Sequence, residues 1–151
     1  MALDDMVIVD YSPEYGPELV VMWRASFEQA VGVVDLHSLE EQLLYLEEKV
    51  ARENCVLVVL EKMTSAVIGF LASTPESISQ LYVHVNHQNK GIGSMLVNIA
   101  KHNSTGRLRL FTFDANKNAQ RFYERHGFRV VRRGFEKEWQ LKDIEYQWSA
   151  S

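Results

Sequence analysis

Residues 81–94 read LYVHVNHQNKGIGS, and their pattern is the most informative about the fold. Its first half has the apolar alternation of a β-strand, and its second half places Gly91 and Gly93 at the start of an amphipathic helical pattern. Glycines let the backbone turn tightly and approach a ligand closely. The first amides of a helix lack an intrahelical acceptor and lie at its positive dipole end. The stretch therefore predicts an anion cradle suited to phosphate, although a turn with glycines for packing alone would read the same way.

The flanking sequence predicts an α+β fold in which residues 1–151 form one domain. Ser38 and Glu41 fit a capping box that begins a helix lined by Leu39, Leu43, Leu46 and Val50. The predicted elements are strands near 6–9, 55–60, 66–71, 78–85, 108–113, 128–139 and 144–148, and helices beginning near 17, 38, 92 and 118. Their order, βααβββαβαββ, predicts an α+β domain with a mixed sheet.

Composition favours an ordinary globular domain. The chain has 151 residues, of which 46% are hydrophobic, and a single cysteine, Cys55, that cannot form an intramolecular disulfide. The acidic N-terminus is unlike a signal peptide, and no apolar run approaches the roughly 18 residues of a membrane span. We therefore expect a cytoplasmic protein. Cys55 opens an apolar strand and is expected to be a buried small hydrophobe rather than an acyl-carrying nucleophile.

Charge is divided unevenly along the chain. Residues 1–75 carry 4 basic and 13 acidic side chains, whereas residues 76–151 carry 12 basic and 7 acidic ones. The basic half contains the predicted phosphate cradle, and the acidic half supplies the first two helices. This asymmetry favours two differently charged ligands, although it also fits a solvated surface.

Two common phosphate-binding motifs fit the glycine segment poorly. A P-loop requires a lysine before its final Ser or Thr, and Gly93-Ser94 lacks one. A dinucleotide-binding turn requires a third glycine where this chain has Leu96, although Asp114 lies near the expected distance for a ribose-binding acid. No second βαβ half follows, so the dinucleotide interpretation keeps only a minor place.

A second motif lies downstream of the first. Residues 116–128 contain Asn116-x-x-Ala119-x-x-Phe122-Tyr123-Glu124-x-x-Gly127-Phe128, and the earlier segment contains Gln88-x-x-Gly91-x-Gly93. Together, in this order and with this element order, they resemble the GNAT N-acetyltransferases over essentially the whole chain. The resemblance implies a central mixed, mostly antiparallel sheet flanked by helices, with splayed strands that form a slot for acetyl-CoA. It also implies transfer of the acetyl group to an amine.

The resemblance also implies residue roles. Backbone groups of the strand would pair with the pantetheine arm, amides of the glycine segment would hold the pyrophosphate, and Lys90 stands where arginine is commoner. Asn116 would bind the cofactor arm, and Tyr123 would be the catalytic acid beside the sulfur, although its helical face also fits packing. The implied cofactor-binding residues are Leu81, Tyr82, Val83, Gln88, Asn89, Lys90, Gly91, Ile92, Gly93, Ser94 and Asn116.

A general base is not assured by the sequence. Many family members carry a glutamate on or before the first-motif strand, but residues 77–80 here read SISQ, with Glu76 just outside. Ordered water, His84 or an acceptor amine of low pKa could serve as the base.

Two further features of the sequence have other interpretations. His84-x-x-His87 has no nearby Cys or acidic partner, so no metal site is predicted. Trp23 and Phe27 either line the acceptor pocket or, as the favoured interpretation, fill core.

The functional prediction is an acetyl-CoA-dependent N-acetyltransferase that works by direct attack in a ternary complex. The alternative is a non-catalytic CoA- or acyl-CoA-binding sensor on the same fold. A nucleic-acid-binding protein ranks low, because the basic half lacks aromatics interleaved in a reader motif. We expect a small-molecule or peptide amine acceptor, with a cationic one favoured, no nucleic-acid or membrane partner, and either a monomer or a homodimer.

Overall fold

A computed structural model describes residues 3–151. The strands are β1 Met6–Asp10, β2 Cys55–Glu61, β3 Val67–Thr74, β4 Ser77–Val83, β5 Arg107–Phe113, β6 Arg129–Glu136 and β7 Leu141–Ser149. The helices are α1 Gly16–Val31, α2 Leu39–Tyr45, α3 Ala51–Glu53, α4 Ile92–His102 and α5 Lys117–Arg125. A π-helical turn, Leu46–Val50, connects α2 to α3, and 3-10 turns lie at Leu3–Asp5, Pro13–Tyr15 and Val85–His87. The predicted order of strands and helices is confirmed.

The seven strands form one open sheet in the order β1-β2-β3-β4-β5-β7-β6. Every neighbouring pair is antiparallel except β4 and β5, which run parallel. This is the mixed, mostly antiparallel sheet that the sequence predicts.

The β4–β5 pair separates soon after it begins. Its register contains the single pair Ser77↔Arg109. By contrast, β5 pairs with β7 along its whole length, from Arg107 to Phe113. The two parallel strands therefore diverge toward their carboxyl ends and leave a gap in the middle of the sheet.

Apolar residues cover both faces of the sheet. One cluster joins the sheet to α4 and α5 and includes Leu96, Leu108 and Tyr146. The other joins it to α1 and the π-helical turn and includes Leu19, Leu46 and Phe70. All residues of β3 but the last are buried, because this strand lies between the two clusters. Burial on both faces fixes the central strands, against which the site residues are placed.

Some predicted details are wrong. Cys55 is exposed rather than buried, because it begins β2 at a strand end that neither apolar cluster covers. Leu39 is 41% exposed, and Gln42 takes its place on the buried stripe with Leu46 and Val50. The strand predicted to reach residue 139 ends at Glu136, where the chain turns toward β7.

Candidate functional site

A cleft of about 650 Å³ lies between the end of β4 and the helices α4 and α5. We call it the α4–α5 cleft. All of the predicted cofactor-binding residues line it except Lys90, which is exposed and lies outside its lining. The residues brought together are Leu81, Tyr82, Val83, Gln88, Asn89, Gly91, Ile92, Gly93, Ser94 and Asn116, with Tyr123 beside them.

The glycine segment has the backbone geometry of an anion cradle. Gly91 is the N-cap of α4 and has φ 88° and ψ 0°, a left-handed conformation that favours glycine. Asn89 is also left-handed, at φ 63°. The first intrahelical bond of α4 runs from the Met95 amide to the Gly91 carbonyl at 3.0 Å. The amides of Ile92, Gly93 and Ser94 therefore precede the helical ladder and lie on the cleft wall.

Gly93 is required for close packing at the cleft and not for an unusual backbone conformation. A Cβ atom added there would lie 3.1 Å from Cζ of Phe122, which is tighter than an ordinary contact. Since Phe122 belongs to α5, the missing side chain lets the N-terminal turn of α4 approach α5 closely. This contact fixes the width of the cleft next to the cradle.

Three cations on α5 add positive charge to this cleft. Lys117, Arg121 and Arg125 all line it and follow one another at intervals of four residues, so they share one helical face. All three fall on unspecified positions of the second motif, although their regular spacing is readable in the sequence. With the α4 N-terminus they make the cleft suitable for a ligand carrying several phosphates.

His126 connects α5 to the cradle. Its Nε2 lies 3.0 Å from Oγ of Ser94, and its backbone carbonyl accepts a hydrogen bond from Nζ of Lys101 at 2.6 Å. Burial lowers the pKa of the His126 imidazole, and the charges of Lys101 and Arg125 lower it further. The imidazole is therefore held neutral at pH 7 in this structure.

Some polar groups near the end of β4 and the start of α5 already form hydrogen bonds within the protein. The Val83 carbonyl accepts hydrogen bonds from Oγ of Ser26 at 2.9 Å and from Nε2 of Gln88 at 3.1 Å. Oδ1 of Asn116 caps α5 by accepting from the Ala119 amide at 3.1 Å. Nδ2 of Asn116 has no acceptor among residues 3–151, so this amide group can donate to a ligand in the cleft.

The β4–β5 gap forms a second cavity, of about 220 Å³. Tyr82, Asn116 and Tyr123 line both this gap and the α4–α5 cleft, so the two spaces adjoin. Thr112 also lines the gap; it is 9% exposed, and its Oγ1 has no hydrogen-bond partner in the described part of the chain. A buried hydroxyl without a partner is costly, and a ligand entering the gap would satisfy it.

Two tyrosines meet where the spaces adjoin. Tyr123 is 7% exposed, and its burial raises the pKa of its hydroxyl well above the usual value, with Tyr82 acting in the same direction. Burial likewise raises the pKa of Tyr82 to about 12. Both hydroxyls therefore keep their protons at neutral pH and can donate hydrogen bonds.

A third cavity, of about 910 Å³, is lined by residues of α1, α2, the π-helical turn and β4. We call it the acidic pocket. Gln80, Tyr82 and Phe113 line both this pocket and the β4–β5 gap, so it continues the same space. Its carboxylates are Asp35, Glu41, Glu48, Glu53, Glu136 and Glu138, and its aromatic residues are Trp23, Phe27, Tyr45, Tyr82, Phe113 and Trp139.

Trp23 and Phe27 combine the two roles that the sequence left open. They are 7% and 6% exposed and belong to the apolar cluster around α1, as the favoured interpretation expects. They also line the acidic pocket. The helix that fills this part of the core therefore also shapes the pocket.

Other candidates lie away from these spaces. His84 is not among the lining residues of the cleft, the gap or the pocket; its Nδ1 accepts a hydrogen bond from the Asn86 amide at 3.0 Å. Cys55 is likewise absent from all three linings. Within residues 3–151 no cluster of three or more His, Cys, Asp or Glu side chains is placed to hold a metal ion. No helix of the same residues is both long and apolar enough to cross a membrane.

The structure is that of an α+β protein whose splayed central sheet opens beside a glycine-capped helix N-terminus. The sequence profile of the acetyltransferase (GNAT) domain matches residues 52–130. The chain belongs to the GNAT acetyltransferase family. This confirms the resemblance drawn from the two motifs.

Solved structures with the same fold have low sequence identity to this chain. Apo YjaB from Escherichia coli is 19% identical with a TM-score of 0.78, and the alignment covers 97% of this chain and 99% of that one. PaiA N-acetyltransferase from Thermoplasma acidophilum, solved with coenzyme A, is 20% identical with a TM-score of 0.72 and coverages of 95% and 98%.

YncA from Salmonella typhimurium, solved with acetyl-CoA as a putative acetyltransferase, is 18% identical with a TM-score of 0.70 and coverages of 97% and 95%. Among curated proteins, no sequence matches. These likenesses support the fold.

Proposed function

We propose that this protein is an N-acetyltransferase that moves the acetyl group of acetyl-CoA to a primary amine by direct attack in a ternary complex. We also propose that residues 1–151 act as one catalytic domain. The observation that carries the proposal is the continuity of the three spaces. Tyr82 lines all of them, so a cofactor entering from the α4–α5 cleft and an amine entering from the acidic pocket would meet at the β4–β5 gap.

The residues of the cleft and the gap fit acetyl-CoA. The free amides at the start of α4 and the cations Lys117, Arg121 and Arg125 would hold its phosphates. Nδ2 of Asn116 and the unpartnered Oγ1 of Thr112 offer hydrogen bonds to the amide-rich pantetheine arm. Backbone groups of β4 that face the gap have no β5 partner beyond Ser77, so they can pair with that arm as a strand would.

When bound, acetyl-CoA supplies a thioester carbonyl that a neutral amine attacks, forming the amide C–N bond as the C–S bond breaks. Backbone N–H groups of β4 beside the gap are suited to stabilise the oxyanion that develops. The Tyr123 hydroxyl, protonated at neutral pH, would donate a proton to the departing sulfur. A thiol with a pKa of about 8.5 leaves readily, so the contribution of this donor is modest.

None of the described residues that line both the gap and the acidic pocket carries a carboxylate to remove the amine proton, although Asp143 lines the gap alone. Gln80 lines both the gap and the acidic pocket. Its side-chain amide can accept a hydrogen bond but not a proton. A lysine-like amine has a pKa of about 10.4, so only a small neutral fraction is present at pH 7. We propose that the protein draws on this fraction and that water carries the proton away. Turnover should then rise with pH above 7.

Direct transfer is favoured over an acyl-enzyme because the only cysteine, Cys55, lies outside the cleft, the gap and the pocket. The single cysteine, which permits no intramolecular disulfide, also supports our proposal of a cytoplasmic location. We propose an amine acceptor as the partner of this protein. We also propose that it is a monomer or a homodimer, which a measurement of its molecular size in solution would distinguish.

The test is release of free CoA thiol from acetyl-CoA in the presence of a panel of primary amines, with the acetylated product identified by mass spectrometry. Acetylation well above the uncatalysed rate supports the proposal. Tight binding of acetyl-CoA without thiol release for any amine would instead favour the CoA-binding sensor. Steep, salt-dependent binding to DNA or RNA with no acetyl-CoA affinity would favour the nucleic-acid alternative.

A further inference from the structure

The acidic pocket is built from two kinds of side chain that together recognise one chemistry. It has six carboxylates at its walls and rim and six aromatic rings, in a volume of about 910 Å³. We propose that the acceptor is a flexible diamine or polyamine: a primary amine with a second positive charge several methylene groups away. This inference rests on the proposed function and names the substrate class of the same site.

The charge of the pocket remains negative after its internal ion pairs are counted. Lys49 lies 4.0 Å from Glu53, and Arg24, which is not part of the pocket lining, lies 3.9 Å from Asp35. His37 lies between Asp35 and Glu138, at 3.2 and 2.9 Å. Glu48 has no ion-pair or hydrogen-bond partner within the described residues. A carboxylate at a pocket wall without a counter-charge is a natural partner for a ligand ammonium group.

The pocket also contains an unsatisfied buried acceptor. Gln42 lines it, is only 8% exposed, and its Oε1 has no hydrogen-bond donor in residues 3–151. Leaving such an atom unpaired costs free energy, and native proteins rarely tolerate it without reason. Because Oε1 is an acceptor, a ligand that satisfies it must donate a hydrogen bond, as an ammonium group does.

The aromatic residues supply a surface for the carbon chain between two charges. The Trp23 and Tyr45 rings have centroids 6.5 Å apart, and Phe27 and Trp139 have centroids 4.8 Å apart. Aromatic faces bind methylene groups by burial and attract cations by their quadrupole. An anionic or strongly hydrated tail would lose its water here without compensation.

The backbone of the pocket carries a further sign of specialisation. The turn Leu46–Val50 is π-helical, and it holds Glu48 and Lys49 at the pocket. A π-turn is rare and frequently lies at a functional site, where it directs side chains differently from a regular helix. Here it keeps Leu46 and Val50 buried while Glu48 lines the pocket.

The two charges of the proposed acceptor have different places. The reacting amine would lie at the end of the pocket lined by Gln80, Tyr82 and Phe113, because only there does the pocket adjoin the β4–β5 gap. The distal ammonium would lie among the carboxylates carried by α2 and the π-turn. The site therefore selects by length as well as by charge.

The experiment compares acceptors that differ only at the distal group. With acetyl-CoA fixed, kcat/KM is measured for 1,5-diaminopentane, 5-amino-1-pentanol, 1-aminopentane and 5-aminopentanoate. We expect the diamine to exceed the alcohol and the alkylamine at least about tenfold, the anion to be the poorest, and the advantage to shrink at high salt. Glu48→Gln should lower kcat/KM for the diamine about threefold, a larger factor than for 1-aminopentane.

The control variant is Glu40→Gln, which removes the same charge from α2 at an exposed residue outside the pocket and should leave the diamine advantage unchanged. Equal or better turnover of the singly charged amines would overturn the acceptor class while leaving the acetyltransferase proposal standing, as would equal effects of the two glutamate variants. Binding of acetyl-CoA with no acetylation of these amines, aromatic amines, amino acids or peptides would overturn both.

Discussion

The anion cradle makes a quantitative prediction at Gly91, which caps α4 at φ 88°. A side chain at this position has two separable effects. The first is conformational, because an L-residue in the left-handed region costs about 1–2 kcal/mol. For a chain of this length that loss lowers the melting temperature by about 2–8 °C.

The second effect is electrostatic and distinguishes Gly91→Glu from Gly91→Gln. The two side chains have the same size and the same backbone cost, and they differ by one negative charge. At a separation of about 7 Å and an effective dielectric constant of about 40, that charge opposes each phosphate charge by about 1 kcal/mol. Two pyrophosphate charges then give about 2 kcal/mol, which corresponds to a roughly 30-fold higher Kd for CoA.

The assay is isothermal titration of CoA into the wild type and the two variants, with urea unfolding to measure stability. Gly32→Gln is the control, since Gly32 has a similar φ of 80°, has open space around it and lies outside the α4–α5 cleft. It should lose as much stability as Gly91→Gln with no change in CoA affinity. The difference between the Glu and Gln variants should also fall in 1 M salt. Equal CoA affinities for these two variants would refute the cradle.

Other predictions concern single side chains. Tyr123→Phe should lower kcat about tenfold while changing the KM for acetyl-CoA less than threefold, and unchanged steady-state kinetics would make Tyr123 a packing residue. Ser38→Ala should lower the free energy of unfolding by about 1 kcal/mol by removing the capping box, whereas Ser12→Ala, which removes no cap bond, should cost less in the same urea titration. Because the pKa of His126 is lowered in the folded state, protonation of its imidazole favours the unfolded chain. The stability associated with the neutral imidazole is therefore present above pH 6.5 and lost as the pH falls. His126→Gln should flatten this decline in the free energy of unfolding between pH 7 and 5. Cys55→Ala should leave kcat unchanged, and trapping of an acetylated Cys55 by mass spectrometry would contradict direct transfer.

Local sequence signals predicted the fold well. Hydrophobic periodicity located each strand and the four main helices, and the capping box at Ser38 and Glu41 is present with both of its hydrogen bonds. Gly127, which follows the end of α5, has φ 86°, a left-handed conformation in which glycine commonly ends a helix. These features succeed because they depend on neighbours only a few residues away.

The second helix shows where local reasoning fails. A regular 3.6-residue period places Leu39 and Leu43 on the buried face, but the turn at Leu46–Val50 is π-helical and changes the phase. Gln42 is buried instead of Leu39. No pattern in the sequence marks that change, because tertiary packing against α1 and the sheet decides it.

Part of the candidate site could likewise be predicted from local sequence, and part of it could not. Two contiguous motifs predicted the residues of the α4–α5 cleft, because a strand, a turn and a helix N-terminus assemble from adjacent sequence. The acidic pocket draws its lining from segments as distant as residues 23–53 and 136–139. Only the excess of acid in the first half hinted at it, since sequence spacing says nothing about which carboxylates share one cavity.

The early divergence of β4 from β5 also bears on aggregation. Unpaired strand edges at the outside of a sheet are templates for pairing with other chains. Here the unpaired edge faces inward, across a gap of about 220 Å³ that β5 closes on its far side. A strand from another molecule, with its side chains, is too bulky to enter, while a thin unbranched chain is not. The protein thus keeps an open hydrogen-bonding edge in its interior without the association hazard that such an edge would create on its surface.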